Sequence, residues 1–137
     1  MKVCAGAFLV QNGSVLLGLR SAGATFYPGV WDAIGGHVEP SETPIDALRR
    51  ELAEEIQVVP TEVSHIATLT DPSPTVNGKA TYHIFVVTQW HGIGPAMQGS
   101  EHSEIRWVPI TEAVNLNLAL PVYAELLLGL VGYEGAK

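Results

Sequence analysis

The sequence predicts an α/β fold, a mixed β-sheet held between helical layers. Three observations predict it. Apolar runs of strand length recur through both halves of the chain, separated by turn residues. One amphipathic helix with clear start signals lies between them. A second helical stretch follows the last strand. Pattern alone leaves several topologies open. At 137 residues the chain fits one domain, residues 1–137, and its 47% hydrophobic content can build a sizeable core.

The elements follow in order. Residues 2–11 and 14–19 are apolar runs joined at Asn12-Gly13, a hairpin signal because both turn positions need positive φ. The start of the chain flows directly into this strand pattern and reads as strand rather than signal peptide. Residues 21–30 hold small residues, two aromatics and a Pro-Gly pair, and read as a loop. Residues 31–34 form a short strand ending in Gly35-Gly36. The helix then starts. Thr43 caps it, Asp46 three residues on completes the box, and Pro44 suits the first helical position. Ile45, Leu48, Leu52 and Ile56 line its core face. Residues 63–70 and 81–90 are strands, with Asp71-Pro72-Ser73-Pro74 and Asn77-Gly78 as turn material between them. Residues 92–103 read as a polar loop, 105–110 as a strand and 118–130 as the second helix.

Composition excludes some classes. The net charge of −7 argues against a nucleic-acid polymer as partner, which would call for a basic patch. It leaves a phosphate substrate open, because a bound metal inverts the local field. No apolar run is long enough to span a bilayer. The single cysteine, Cys4, reads as a buried thiol and suits a reducing cytoplasm. A monomer and a homodimer are both compatible with the pattern.

The chemistry concentrates in residues 36–58, GHVEPSETPIDALRRELAEEIQV. Glu51, Glu54 and Glu55 share one face of the helix, within about 100°. They lie in its last turns, where the helix dipole disfavours negative charge. Like charges at this spacing cost roughly 0.2–0.5 kcal/mol per pair. A solvated acidic face is the plain explanation of three such acids. A hard divalent cation, which prefers oxygen ligands, is the other.

The wider segment resembles the Nudix signature. Gly36 is followed after five residues by Glu42. Seven more lead to Arg50-Glu51-Leu52-Ala53-Glu54-Glu55-Ile56. The one departure is Gln57, where the family has Gly. The motif covers a sixth of the chain, and the order of strands and helices fits the family over nearly all of it. The resemblance implies a Nudix-type α/β/α sandwich and a MutT-like nucleoside triphosphate pyrophosphohydrolase using Mg²⁺ or Mn²⁺. It implies that Glu51, Glu54, Glu55 and the Gly35 carbonyl hold metal, with Arg50 orienting a glutamate and Glu42 in support.

Some members of the family draw a general base from a later loop. Glu101 and Glu104 lie in such a stretch, and Glu101, six residues before Trp107, is the chosen base. Phe26, Tyr27 and Trp31 can stack on a base. Asn117 or Asn115 can read a base edge through its amide. His102 could contact phosphate, although loop histidines are usually exposed. The expected reaction is hydrolysis of a nucleoside triphosphate, oxidised or deoxy forms included, to the monophosphate and pyrophosphate. An ADP-ribose or other nucleoside diphosphate-X substrate is the alternative, on the strength of Pro74, sixteen residues past Val58. A binding module without catalysis is the alternative of another class. Such domains tend to lose signature acids, and this chain keeps them all.

Overall fold

The computed structural model describes residues 2–99 and 101–132. Strands β1 (Lys2–Gln11) and β2 (Ser14–Arg20) form the expected hairpin. Asn12 and Gly13 turn it with φ of 51° and 76°. The two strands pair only near that turn, from Leu9↔Leu16 to Gln11↔Ser14. Beyond Leu9 they part, and a wedge of chain fills the gap. Its first half, β3 (Trp31–Asp32), pairs with β2, and its second, β4 (Ile34–His37), pairs with β1. The single strand expected over residues 31–34 is therefore two strands, and the chain changes partner at Ala33.

Gly35 and Gly36 lie inside β4 and do not end a strand. Gly35 sits opposite Gly6, and a Cβ there would fall 1.9 Å from the Ala5 carbonyl oxygen. The need for glycine is backbone contact across the sheet, not a tight turn.

On its other edge β1 pairs in parallel with β6 (Ala80–His91). β5 (Val59–Thr70) lies antiparallel beyond β6 and shows three register shifts. β7 (His102–Pro109) pairs antiparallel with β2. The sheet is mixed, in the order β3-β2-β1-β6-β5, with β4 on β1 and β7 on β2. Alternation along β1 sends Ala5, Ala7 and Leu9 to one face and Phe8 and Val10 to the other. Helix α1 (Pro44–Ile56) covers the first face with Ala47, Leu48, Leu52 and Ile56. Helices α3 (Ile110–Ala113) and α4 (Tyr123–Leu128) cover the second, where Phe8 meets Tyr123 edge to face at 5.2 Å. The α/β/α layering is as expected.

Several boundaries differ. The second helix is shorter than residues 118–130. Leu118 bridges to Trp31 instead, while Leu120, Tyr123, Leu127 and Leu130 still fill the core. A four-residue helix, α2 (Pro74–Asn77), occupies the turn between β5 and β6. β7 starts at His102, so Glu104 is a strand residue. Among the described residues no helix is long and apolar enough to cross a membrane.

Candidate active site

Helix α1 presents the acids as its periodicity requires. Thr43 Oγ1 accepts the Asp46 amide at 3.3 Å, and Pro44 opens the first turn. At the far end Gln57 adopts φ 59°, ψ 43°, the left-handed conformation usually reserved for glycine. The departure from the signature is thus absorbed as strain, not by a different exit.

Glu51 is 9% exposed and is held from both sides. Arg50 Nη1 donates to its Oε1 at 2.8 Å. Gly36 lies against its carboxylate, where a Cβ would be 2.4 Å from Cδ. Arg50 also grips Glu42 through Nε and Nη2, both at 2.8 Å, and donates to the His37 carbonyl at 2.9 Å. This fork ties the start of the helix to its last turns. It holds the Glu42 carboxyl down at about 2. Glu42 in turn accepts the Glu39 amide at 3.0 Å.

Three carboxylates converge. One ligand oxygen each from Glu51, Glu55 and Glu101 lies within 4.8 Å of the others. Residues 92–99 bring Glu101 there by docking on the end of α1. The amides of Gly94, Ala96 and Gln98 donate to the carbonyls of Gln57, Ile56 and Glu55. Burial and then the neighbouring acids Glu101, Glu51 and Glu54 push the Glu55 carboxyl up to about 7. Burial also raises Glu51, against the pull of Arg50. Crowded hard oxygens with unfavourable charge fit a divalent cation. Glu54 stands at the margin, 59% exposed, with Arg50 Nη1 at 3.5 Å. Glu104 points elsewhere and pairs with Arg106 at 2.7 Å.

Beside the acids opens a cleft of about 110 Å³ whose lining includes Phe26, Tyr27, Asp32, Gly35, Gly36, Tyr82 and Glu101. Phe26 and Tyr27 both line this cleft. Trp31 is not a lining residue; it packs on the core beneath Arg106. Asn117 and Asn115 are exposed and outside the lining, and the Asn117 carbonyl accepts the Trp31 amide at 2.9 Å. His102 is buried, packed where a side chain on Gly18 would collide with it, and is no exposed loop residue. Cys4 lines the cleft half-buried, with its thiol pushed up to about 11 by burial.

Asp32 and Arg20 carry a polar feature of the cleft that sequence reasoning missed. Burial pushes the Asp32 carboxyl up to about 6, against Arg20, the Tyr123 hydroxyl and the Ala33 amide, which favour its charge. Arg20 reaches Glu101 at 3.3 Å and Asp32 at 4.0 Å. A polar residue inside the short apolar run just before Gly35-Gly36 was the available signal.

The NUDIX domain profile matches residues 1–128. The chain belongs to the Nudix hydrolase family. It is 31% identical over 132 residues to the CTP pyrophosphohydrolase of Escherichia coli (strain K12), across 96% of this chain and 92% of that one. It is 31% identical over 90 residues to the 8-oxo-dGTP diphosphatase of Proteus vulgaris, across 66% and 78%. The solution structure of the E. coli ORF135 protein superposes with a TM-score of 0.75 at 29% identity, covering 100% of this chain and 95% of that one. As a Nudix hydrolase the chain is an enzyme of MutT-like kind, a pyrophosphohydrolase.

Proposed function

We propose that this Nudix hydrolase converts a nucleoside triphosphate to the monophosphate and pyrophosphate. The convergence of Glu51 and Glu55 with Glu101, which lines a cleft together with Asp32, carries the proposal. Glu51 and Glu55, with Glu54 beside them and the Gly35 carbonyl by family resemblance, would hold Mg²⁺, with Glu101 close enough to serve as the base. When bound, the ion neutralises phosphate charge and makes the attacked phosphorus more electrophilic. Arg50 keeps Glu51 in place while Glu42 keeps Arg50 in place.

The base enters the cleft lined by Phe26, Tyr27 and Asp32, and the triphosphate extends toward the acids. Glu101 accepts a proton from water as the water oxygen bonds to a phosphorus of the α–β anhydride. The bridging oxygen leaves with the electron pair and takes up a proton as pyrophosphate separates from the monophosphate. Asp32 takes the base-reading part expected of Asn117. A carboxyl that titrates near 6 can accept two hydrogen bonds when ionised, or donate one and accept one when protonated. The second pattern complements the amino and N3 edge of cytosine. That agrees with the CTP pyrophosphohydrolase relative. Pro74 opens α2 and is not a lining residue, so the feature that favoured ADP-ribose has a structural explanation.

Chromatographic detection of the nucleoside monophosphate formed with Mg²⁺ tests this across CTP, the other triphosphates, their deoxy and oxidised forms and ADP-ribose. A pyrimidine triphosphate should be turned over fastest. Faster cleavage of ADP-ribose would overturn the substrate, and binding without turnover would overturn catalysis.

A further inference from the structure

Asp71 lies just beyond β5, is 5% exposed and is not a lining residue of the cleft. Its backbone amide donates to the Ala80 carbonyl at 3.0 Å, closing the β5–β6 connection. Its carboxylate is fully engaged. Oδ2 accepts the Tyr27 hydroxyl at 2.6 Å and the Tyr82 hydroxyl at 2.7 Å. Oδ1 accepts the Ser73 amide at 2.8 Å and Asn77 Nδ2 at 3.3 Å. Asn77 also donates to the Tyr27 oxygen at 3.1 Å. Burial alone would raise this carboxyl, yet the donors outweigh burial and hold it below the usual range.

Both tyrosines line the cleft, and they come from distant parts of the chain. Tyr82 sits on β6. Tyr27 sits in the loop over residues 21–30, with φ of 53°. Two of that loop's anchors bear on Tyr27. Arg20 holds its base through the carbonyls of Phe26 and Tyr27 at 2.8–3.2 Å. Asp71 holds the Tyr27 ring from the other side. A non-glycine residue at positive φ persists only where its surroundings impose it.

We propose that Asp71 is a positioning residue for nucleotide binding: its buried carboxylate clamps Tyr27 and Tyr82 together and so sets the width of the cleft. The inference rests on the reading of this cleft as the nucleotide site. Asp71 itself touches neither the acid cluster nor the cleft and acts on the cleft only through the two tyrosines, so its loss is felt in binding and not in chemistry. Tyr27→Phe and Tyr82→Phe keep the rings and remove one clamp bond each, and Asp71→Asn removes the charge that both phenols share.

The test is steady-state kinetics on the best triphosphate of the panel, with melting temperatures alongside. Each variant should raise KM roughly tenfold, the order of one charge-assisted hydrogen bond. Saturated kcat should stay within about twofold of wild type, as for lost uniform binding. In the Asp71→Asn background, Tyr82→Phe should add nothing. Unchanged KM in folded variants, a fall in kcat alone, or additive effects would each overturn the clamp. If Asp71→Asn does not fold, the two phenylalanine variants decide by the same criteria. A wild type that turns over no nucleotide overturns the functional reading itself, whereas normal wild-type turnover with unmoved variants overturns only the clamp.

Discussion

Gly36→Ala is the sharpest perturbation of the acid cluster. An added methyl would sit 2.4 Å from Cδ of Glu51 and 2.6 Å from both its oxygens. That is roughly 1 Å inside the contact distance of non-bonded atoms. The carboxylate cannot simply swing away, because Arg50 holds it at 2.8 Å and the side chain is buried. Overpacking of this kind costs about 1–3 kcal/mol. If the cost falls on the position of Glu51, affinity for Mg²⁺ drops about 5- to 150-fold at 1.4 kcal/mol per tenfold. Gly35→Ala is the contrast. There the collision is with the Ala5 backbone, so the cost falls on the fold. Calorimetric titration with Mg²⁺ and thermal melts would be run on both. Gly36→Ala should lose metal affinity with a modest change in melting temperature, and Gly35→Ala should lose melting temperature first. A Gly36→Ala protein with wild-type Mg²⁺ affinity would refute Glu51 as a ligand.

Three further outcomes are expected. Glu101→Gln should lower kcat about 10²–10⁴-fold, the usual contribution of a positioned base, while Glu104→Gln, whose carboxylate pairs with Arg106, stays near wild type; the reverse ranking in steady-state assays would reassign the base. Gln57→Gly should relieve about 1 kcal/mol of left-handed strain and raise the melting temperature by about 3 °C, with turnover unchanged; a lower melting temperature would show that the Gln57 side chain contributes more than the strain costs. In the metal-free protein Glu55 binds its proton more tightly folded, at about 7, than at its ordinary 4.5. Its contribution to stability is therefore complete below 4.5 and lost as pH rises through 7. Melting temperature without metal should fall between those values, saturating Mg²⁺ should flatten the fall, and Glu55→Gln should remove it.

Helix α1 was legible because its signals are local. A cap, a proline and a 3.6-residue apolar period sit within one stretch, and the acids inherit their common face from it. The hairpin at Asn12-Gly13 was legible for the same reason. The division of residues 31–37 into two strands was not, since it depends on β1 and β2 parting, which no local pattern states. The apolar run of residues 118–130 has helical composition, yet Leu118 is claimed by a bridge to Trp31 and only its second half is helix. At the site, Glu51 and Glu55 could be paired from spacing alone. Their meeting with Glu101 depends on residues 92–99 docking against the end of α1. Asp32 and Asp71 were missed because their partners, Tyr123 and Tyr82 among them, come from remote strands and helices.

The register shifts of β5 have a consequence for the protein in concentrated solution. Among the described residues β5 is the last strand on its side of the sheet and is twelve residues long, with no strand paired along its outer margin. A straight strand of that length is a template on which another extended chain can pair. Irregularities near Pro60, Glu62 and His65 break the even spacing that such pairing needs. Pro60 has no amide hydrogen to donate, and Glu62 brings charge to the strand. The same irregularities that bend β5 along β6 thereby guard the molecule against edge-to-edge aggregation.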